Sequence, residues 1–288
     1  MPIMFQILIS FIEFFSKSLT ASIVLSLIHR PKEAKLYRNE ESIMSKSKRS
    51  SLTVNSKKVK CYSWGSGKKN IMIVHGWSSR ASRFYKLIEK LVDANYRVIA
   101  FDMPGHGESE GNGATILDVN FILKELQNKF GPFEAIVCHS LGALFSFYAL
   151  KNGLFAKKII SISSVCEFKY ATYRAASFVN LKDRTINALY SKLEKIFRSK
   201  TIWTDFSADN KIDDVGSKII IIHDRFDDYV DYSQSKKIND AAKDSKMIST
   251  EGLGHFKILS EDSVVKNVLR EINDSDIKDR LSLMFSGN

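Results

Sequence analysis

The sequence predicts an α/β protein whose mostly parallel sheet is covered by helices on both faces. Short apolar runs rich in Ile and Val recur along the chain, among them NIMIVHG (70–76), YRVIAFD (96–102) and KIIIIHD (218–224). Each has the length and composition of a strand buried on both faces. Segments with helical apolar spacing separate them, and that alternation calls for crossover connections in a parallel sheet. The Ser, His and Asp residues with chemical potential fall just after such runs, at the carboxyl rim where open α/β sheets hold ligands. With 288 residues, 44% hydrophobic and 26% charged, there is material for one large core.

The first 28 residues are oily, with polar residues at Gln6, Ser10, Glu13, Lys17 and Thr20. That spacing draws a narrow polar stripe on a helix with a broad apolar face. Glu13 and Lys17 stand i, i+4 in the favourable order. A membrane-spanning helix would bury that pair, and no basic n-region or cleavage site marks a secretory signal. Three readings stay open: a helix packed on the protein's own body, a helix lying in a membrane interface, and a signal or anchor segment.

The formal net charge is +11, and residues 30–69 hold twelve Lys/Arg against three Glu. Such a run is ordinarily a solvated face. The functional alternative is attraction to an anionic membrane surface. Nucleic acid is not expected as a partner, because no recognition motif accompanies the charge. Residues 1–50 thus read as an amphipathic helix and basic linker, and 51–288 as the α/β domain. SKSKRSS at 45–51 reads as a solvated loop.

LTVNSKKVKCYSW (52–64) alternates loosely and predicts an antiparallel hairpin, followed by the turn GSGKKN and the strand at 70–76. Helical spacing appears at 80–94 and 115–130, strands at 96–102 and 134–138, and a helix from Leu141. KKIISISS (157–164), KIIIIHD (218–224) and SKMIST (245–250) predict further strands, and a last helix covers about 261–272. Between them, about 165–216 shows helical patterns and no strand, too long for a plain connection. This predicts a helical cap insertion over the sheet. The three cysteines, Cys61, Cys138 and Cys166, are odd in number and fit no zinc spacing, so a reducing compartment is the default.

CHSLGA (138–143) places Ser140 two residues beyond the strand EAIVC and directly before a helix. Such a turn exposes the hydroxyl above the sheet and aims backbone N–H groups at developing negative charge. Gly142 supplies one of the small flanking residues, whereas Cys138 stands where G-x-S-x-G has its first glycine. A serine N-cap is the competing reading. A serine nucleophile needs a base, and the base an orienting acid. Of the six histidines, His29 has no motif, His139 adjoins Ser140, and His75, His106 and His223 lie at strand ends or in a Gly-rich loop. His255, in GLGHFKIL after the last strand, is favoured as the base. RFDDYV (225–230) follows a strand, so Asp224, Asp227 and Asp228 are all candidates for the acid. No second cluster of ligands pairs with these aspartates, and no metal or cofactor is expected.

The ordered set HGW (75–77), FDMPGHGES (101–109), CHSLGA, HDRFDDYV (223–230) and GLGHFKIL (252–259) resembles the α/β-hydrolase superfamily from about residue 50 to the C-terminus. It is also similar to a bacterial branch with an oily N-terminus followed by a basic stretch, here HRPK. The resemblance implies Ser140 as nucleophile, His255 as general base and Asp227 as the acid, four residues after His223. It implies an oxyanion hole from the backbone N–H groups of Trp77 and Leu141, and a rim-shaping role for DMPGHGES. The serine argues against the dehalogenase and epoxide-hydrolase members, which carry an aspartate there.

The function expected is therefore a serine hydrolase acting on a small-molecule ester or acyl substrate. The insertion's aromatics (Phe168, Tyr170, Tyr173, Phe178, Tyr190, Phe197, Trp203) suit either an apolar pocket or simple packing onto the sheet. An amidase, aminopeptidase or thioesterase with the same three residues is the alternative within enzymes. A non-catalytic, membrane-associated binding protein is the alternative outside them. The location expected is cytoplasmic, with peripheral membrane contact through the N-terminal helix and basic segment.

Overall fold

The computed structural model describes residues 3–274. The end of the expected domain, 275–288, lies outside them. An eight-stranded sheet runs in the order β1-β2-β4-β3-β5-β6-β7-β8. Its strands are β1 (Lys48–Val54), β2 (Lys57–Trp64), β3 (Asn70–Val74), β4 (Arg97–Phe101), β5 (Phe133–His139), β6 (Ala156–Ile162), β7 (Lys218–Asp224) and β8 (Ser245–Thr250). β1 pairs with β2 and β2 with β4 antiparallel; every other neighbour is parallel. The fold class is the expected one.

The period of two along each strand divides the core. Met72 and Val74 of β3, Ile136 and Cys138 of β5, and Ile219 and Ile221 of β7 face one side. They pack with α5 (Ile116–Phe130), α6 (Leu141–Lys151) and α10 (Tyr232–Ala241). Ile71, Ile73, Ala135, Val137, Ile220 and Ile222 face the other side, against α3 (Arg38–Ser45), α4 (Tyr85–Asp93) and α12 (Asp262–Asn273). Burying one such side chain contributes about 1.5–3 kcal/mol.

Local chemistry sets the ends of these elements. Asn55 and Ser56, at φ 47° and 62°, turn the β1–β2 hairpin in the primed geometry that matches strand twist. Thr115 and Asp118 form a reciprocal capping box at the start of α5, with Asp118 N donating to Thr115 Oγ1 (3.2 Å) and Thr115 N to Asp118 Oδ2 (2.8 Å).

Two expectations need correction. Residues 48–51, read as part of a solvated loop, form the first half of β1. Lys48, Arg49 and Ser51 are exposed and Ser50 is half-buried, so this edge strand begins without the apolar signal that the other strands carry. Glu13 and Lys17 form no ion pair among the described residues. The N-terminal helix is broken at Ser16 into α1 (Ile3–Phe15) and α2 (Lys17–Ile28), because the Ser16 side chain caps α2 by accepting from Leu19 N. Glu13 is buried and instead accepts from Lys182 N at 2.9 Å.

Between β6 and β7 lie α7 (Phe168–Ser177), α8 (Asp183–Phe197) and α9 (Ile202–Asp205). Ala21 and Val24 of α2 pack with Ala176, Val179 and Leu189 of this region and with Ile9 of α1 in a small separate core. The single turn α11 (Gly254–Lys257) carries His255.

Candidate active site

β5 ends at His139 and α6 begins at Leu141, leaving Ser140 alone in the turn at φ 54°, ψ −124°. A non-glycine residue there is strained, and it persists only where its surroundings fix it. Here they do. A Cβ on Gly142 would lie 2.3 Å from the His75 carbonyl oxygen, and a Cβ on Gly76 would lie 2.9 Å from the Ser140 Cβ. The turn and the loop after β3 interlock through two glycines. Cys138, the departure from the glycine pattern, is a β5 residue packed in the core, its Sγ 3.7 Å from the Ile160 carbonyl. Burial pushes its thiol pKa well up, so it is no thiolate at neutral pH.

The Ser140 side chain makes no cap hydrogen bond to α6. Its Oγ lies 3.1 Å from His255 Nε2, and His255 Nδ1 lies 2.7 Å from Asp227 Oδ2. The structure thus brings together Ser140, His255 and Asp227 from the ends of β5, β8 and β7. Asp224 instead accepts from Phe226 N (3.0 Å), Leu253 N (2.9 Å) and Thr250 Oγ1 (2.8 Å). It ties the Asp227 loop to the His255 loop. Asp228 is exposed, and its carbonyl accepts from Arg174.

Burial alone would raise the Asp227 pKa. Hydrogen bonds from His223 and His255, the His255 charge and the Val230 N–H outweigh it and hold the carboxyl well below the usual range. Tyr229 N and Val230 N both donate to Oδ1 at 2.9 Å. With four donors around it, the carboxylate is an ionised, oriented acceptor.

Two histidines support this arrangement in ways the sequence reading missed. His139 Nε2 donates to the His255 carbonyl at 2.9 Å, and burial followed by the His255 charge keeps its pKa well below the ordinary value. His223 Nε2 reaches Asp227 Oδ2 at 3.3 Å and the Val230 carbonyl at 3.1 Å. No sequence pattern marks either role, since both depend on where the side chains at a strand's end point. His75 accepts from Met103 N (3.0 Å) and donates to the Gly76 carbonyl (2.7 Å), which identifies it as a neutral ring joining the β3 and β4 loops. Asp102 at the end of β4 accepts from Tyr62 Oη, Ala81 N and Glu108 N and orders the Gly-rich loop.

The backbone N–H groups of Trp77 and Leu141 have no hydrogen-bond partner among the described residues. Both residues line a cavity of about 760 Å³, as does Tyr229, whose ring stacks on His255 at 5.4 Å. Its other walls include Leu25 and Ile28 of α2 and Phe168 and Phe197 of the segment between β6 and β7. Of that segment's aromatics, Trp203 packs behind Phe168, and Tyr173 and Phe178 are exposed. Among the described residues, no group of three or more His, Cys, Asp or Glu is placed to hold a metal ion.

A family model described as serine aminopeptidase, S33, matches residues 65–212, just over half of the chain. The chain belongs to this α/β-hydrolase family. No curated protein matches the hydrolase significantly in sequence. Solved structures share its fold. An esterase from Pyrococcus furiosus has 17% identity and a TM-score of 0.62, covering 84% of this chain and 95% of its own. An esterase from Rhodococcus has 16% identity and a TM-score of 0.61, with coverages of 80% and 99%. A thioesterase domain from the curacin biosynthetic pathway has 11% identity and a TM-score of 0.58, with coverages of 79% and 99%.

Proposed function

We propose that this hydrolase cleaves carboxylic esters through a Ser140–His255–Asp227 triad and an acyl-enzyme intermediate, with the acyl chain in the apolar cavity. The observation that carries the reading is the unbroken hydrogen-bond chain from Ser140 Oγ through His255 to Asp227, beside a cavity walled mostly by apolar side chains. His255 Nε2 takes the Ser140 proton as Oγ bonds to the acyl carbon. Asp227 holds the ring in the tautomer with its proton on Nδ1 and stabilises the imidazolium. The Trp77 and Leu141 N–H groups receive the oxyanion, and losing one such donor typically costs roughly 100- to 1000-fold in rate. The carbonyl re-forms, the C–O bond to the leaving group breaks, and His255 returns the proton to the departing alkoxide. A water deprotonated by His255 then frees the acid and restores Ser140. The helices between β6 and β7 act as a cap that shields this step from bulk water.

Fluorophosphonate labelling of wild type, Ser140→Ala and His255→Ala tests the triad. Labelling of wild type alone is expected. A folded wild type that does not label, or a Ser140→Ala variant that still does, overturns the proposal. Matched panels of esters, thioesters and aminoacyl amides then assign the bond, with esters of medium or long acyl chains expected to turn over fastest.

A further inference from the structure

α1 is packed with Glu13 inward and most of its apolar residues outward. Its buried positions are Ile9 and Glu13, and Glu13 is held by Lys182 N and, at its carbonyl, by Arg184 Nη2. Met4, Ile7, Leu8, Phe11, Phe14 and Phe15 all face outward, between 52% and 82% exposed. Their i, i+3, i+4, i+7 spacing makes them one continuous stripe. Phe15 packs edge-on against Phe11 and Phe14 at 5.0 and 5.2 Å, yet all three rings remain mostly exposed. An apolar stripe of this kind marks an interaction surface.

Length and charge identify the partner. α1 has 13 residues, about 20 Å at 1.5 Å per residue, and a hydrocarbon core is roughly 30 Å thick. No helix among the described residues is long and apolar enough to cross a membrane. The stripe itself carries no charge, and its one carboxylate is turned into the protein. Cations lie beside the helix: exposed Lys17 follows it almost directly, and exposed Lys182 and Arg184 meet α1 at Glu13, through the Lys182 backbone N–H and the Arg184 guanidinium. Residues 167–200, on which α1 and α2 pack, hold eight Lys/Arg against three Asp/Glu. An aromatic stripe with a cation-rich surface beside it complements an acyl layer beneath anionic headgroups.

We propose that the outward face of α1 docks the protein on an anionic phospholipid bilayer, with the helix lying flat and Phe11, Phe14 and Phe15 below the headgroups. α2 continues from α1 and forms one wall of the cavity, so docking sets that cavity at the membrane. On the ester-hydrolase reading above, its substrates are then acyl esters drawn from the bilayer.

Flotation of the full chain with vesicles of phosphatidylcholine, alone or mixed with phosphatidylserine, tests the docking. Wild type is expected to float with the mixed vesicles, less with phosphatidylcholine alone, and less as salt rises. Phe11→Ser/Phe14→Ser/Phe15→Ser is expected to lose at least about tenfold in partitioning while keeping its activity on a soluble short-chain ester or its fluorophosphonate labelling, which reports folding. Wild type that stays with the soluble fraction, or a triple variant that floats as well as wild type, overturns the proposal. So does a wild-type dimer without lipid that the triple variant converts to monomer, since a second copy would then cover the stripe. Ser140→Ala is expected to float like wild type, so failure of the triad leaves the docking result intact.

Discussion

Asp227 receives two ring nitrogens and two backbone N–H groups, whereas Asp224 spends its carboxylate on the neighbouring loop and Asp228 faces water. Three aspartates within five residues therefore make three different predictions. Asp227→Asn is expected to lower kcat by about 10³- to 10⁴-fold, because the amide favours the wrong His255 tautomer. Asp228→Asn is expected to leave kcat within about twofold, as surface changes away from partners do. Asp224→Asn is expected chiefly to lower the melting temperature, since it frees two loops from each other. Steady-state kinetics and thermal melts on the three variants separate these outcomes. Family resemblance pointed to Asp227 by counting from His223. Spacing alone left all three open, because which side chain turns inward is decided by loop dihedrals that composition does not encode.

At the scale of elements, the Ser140 turn and the β3 loop form one unit. Gly142→Ala would force its methyl against the His75 carbonyl. It is expected to cost about 1–3 kcal/mol, the usual range for overpacking, and to slow acylation by displacing Ser140 from His255. Denaturant unfolding and fluorophosphonate labelling rates measure the two effects. The small residue that such a turn needs was legible at Gly142, but the partner glycine at 76 was not, because a contact between two distant loops leaves no periodic trace. The N-terminal helix shows the same boundary. Its polar stripe was readable, yet periodicity cannot say which face turns inward, and the cap at Ser16 that divides it looks like one serine among many. Helices α3 and α10 were not anticipated, being short, polar and governed by what they pack against.

For the molecule as a whole, the apolar runs sufficed to find the buried parallel strands and their class, but the polar first half of β1 carries no such run, and strand order needed the three-dimensional pairing. The same buried rim carries a pH liability. Burial first, with smaller contributions from neighbours, depresses His75 to about 4 and His106 to about 3 from the ordinary 6.5, and takes His139 well below that value. Between the folded and unfolded values the unfolded chain binds more protons, so stability falls as pH drops below about 6.5. His75 alone contributes a loss of about 2 kcal/mol by pH 5, levelling off near its folded value of about 4. Thermal melts from pH 7.5 downward are expected to show this decline, and His75→Gln, which keeps a neutral donor and acceptor, is expected to make it shallower.

The contact between Glu13 and Lys182 spans 169 residues of chain. During translation α1 and α2 emerge well before α7 and α8, against which much of their inner side packs. At about 5–20 residues per second this interval is roughly 8–30 s. For that time the oily helices are available to chaperones, to a nearby membrane or to each other on neighbouring ribosomes. The order of synthesis thus gives the helices an opportunity to meet a bilayer before the enzyme beneath them has been made.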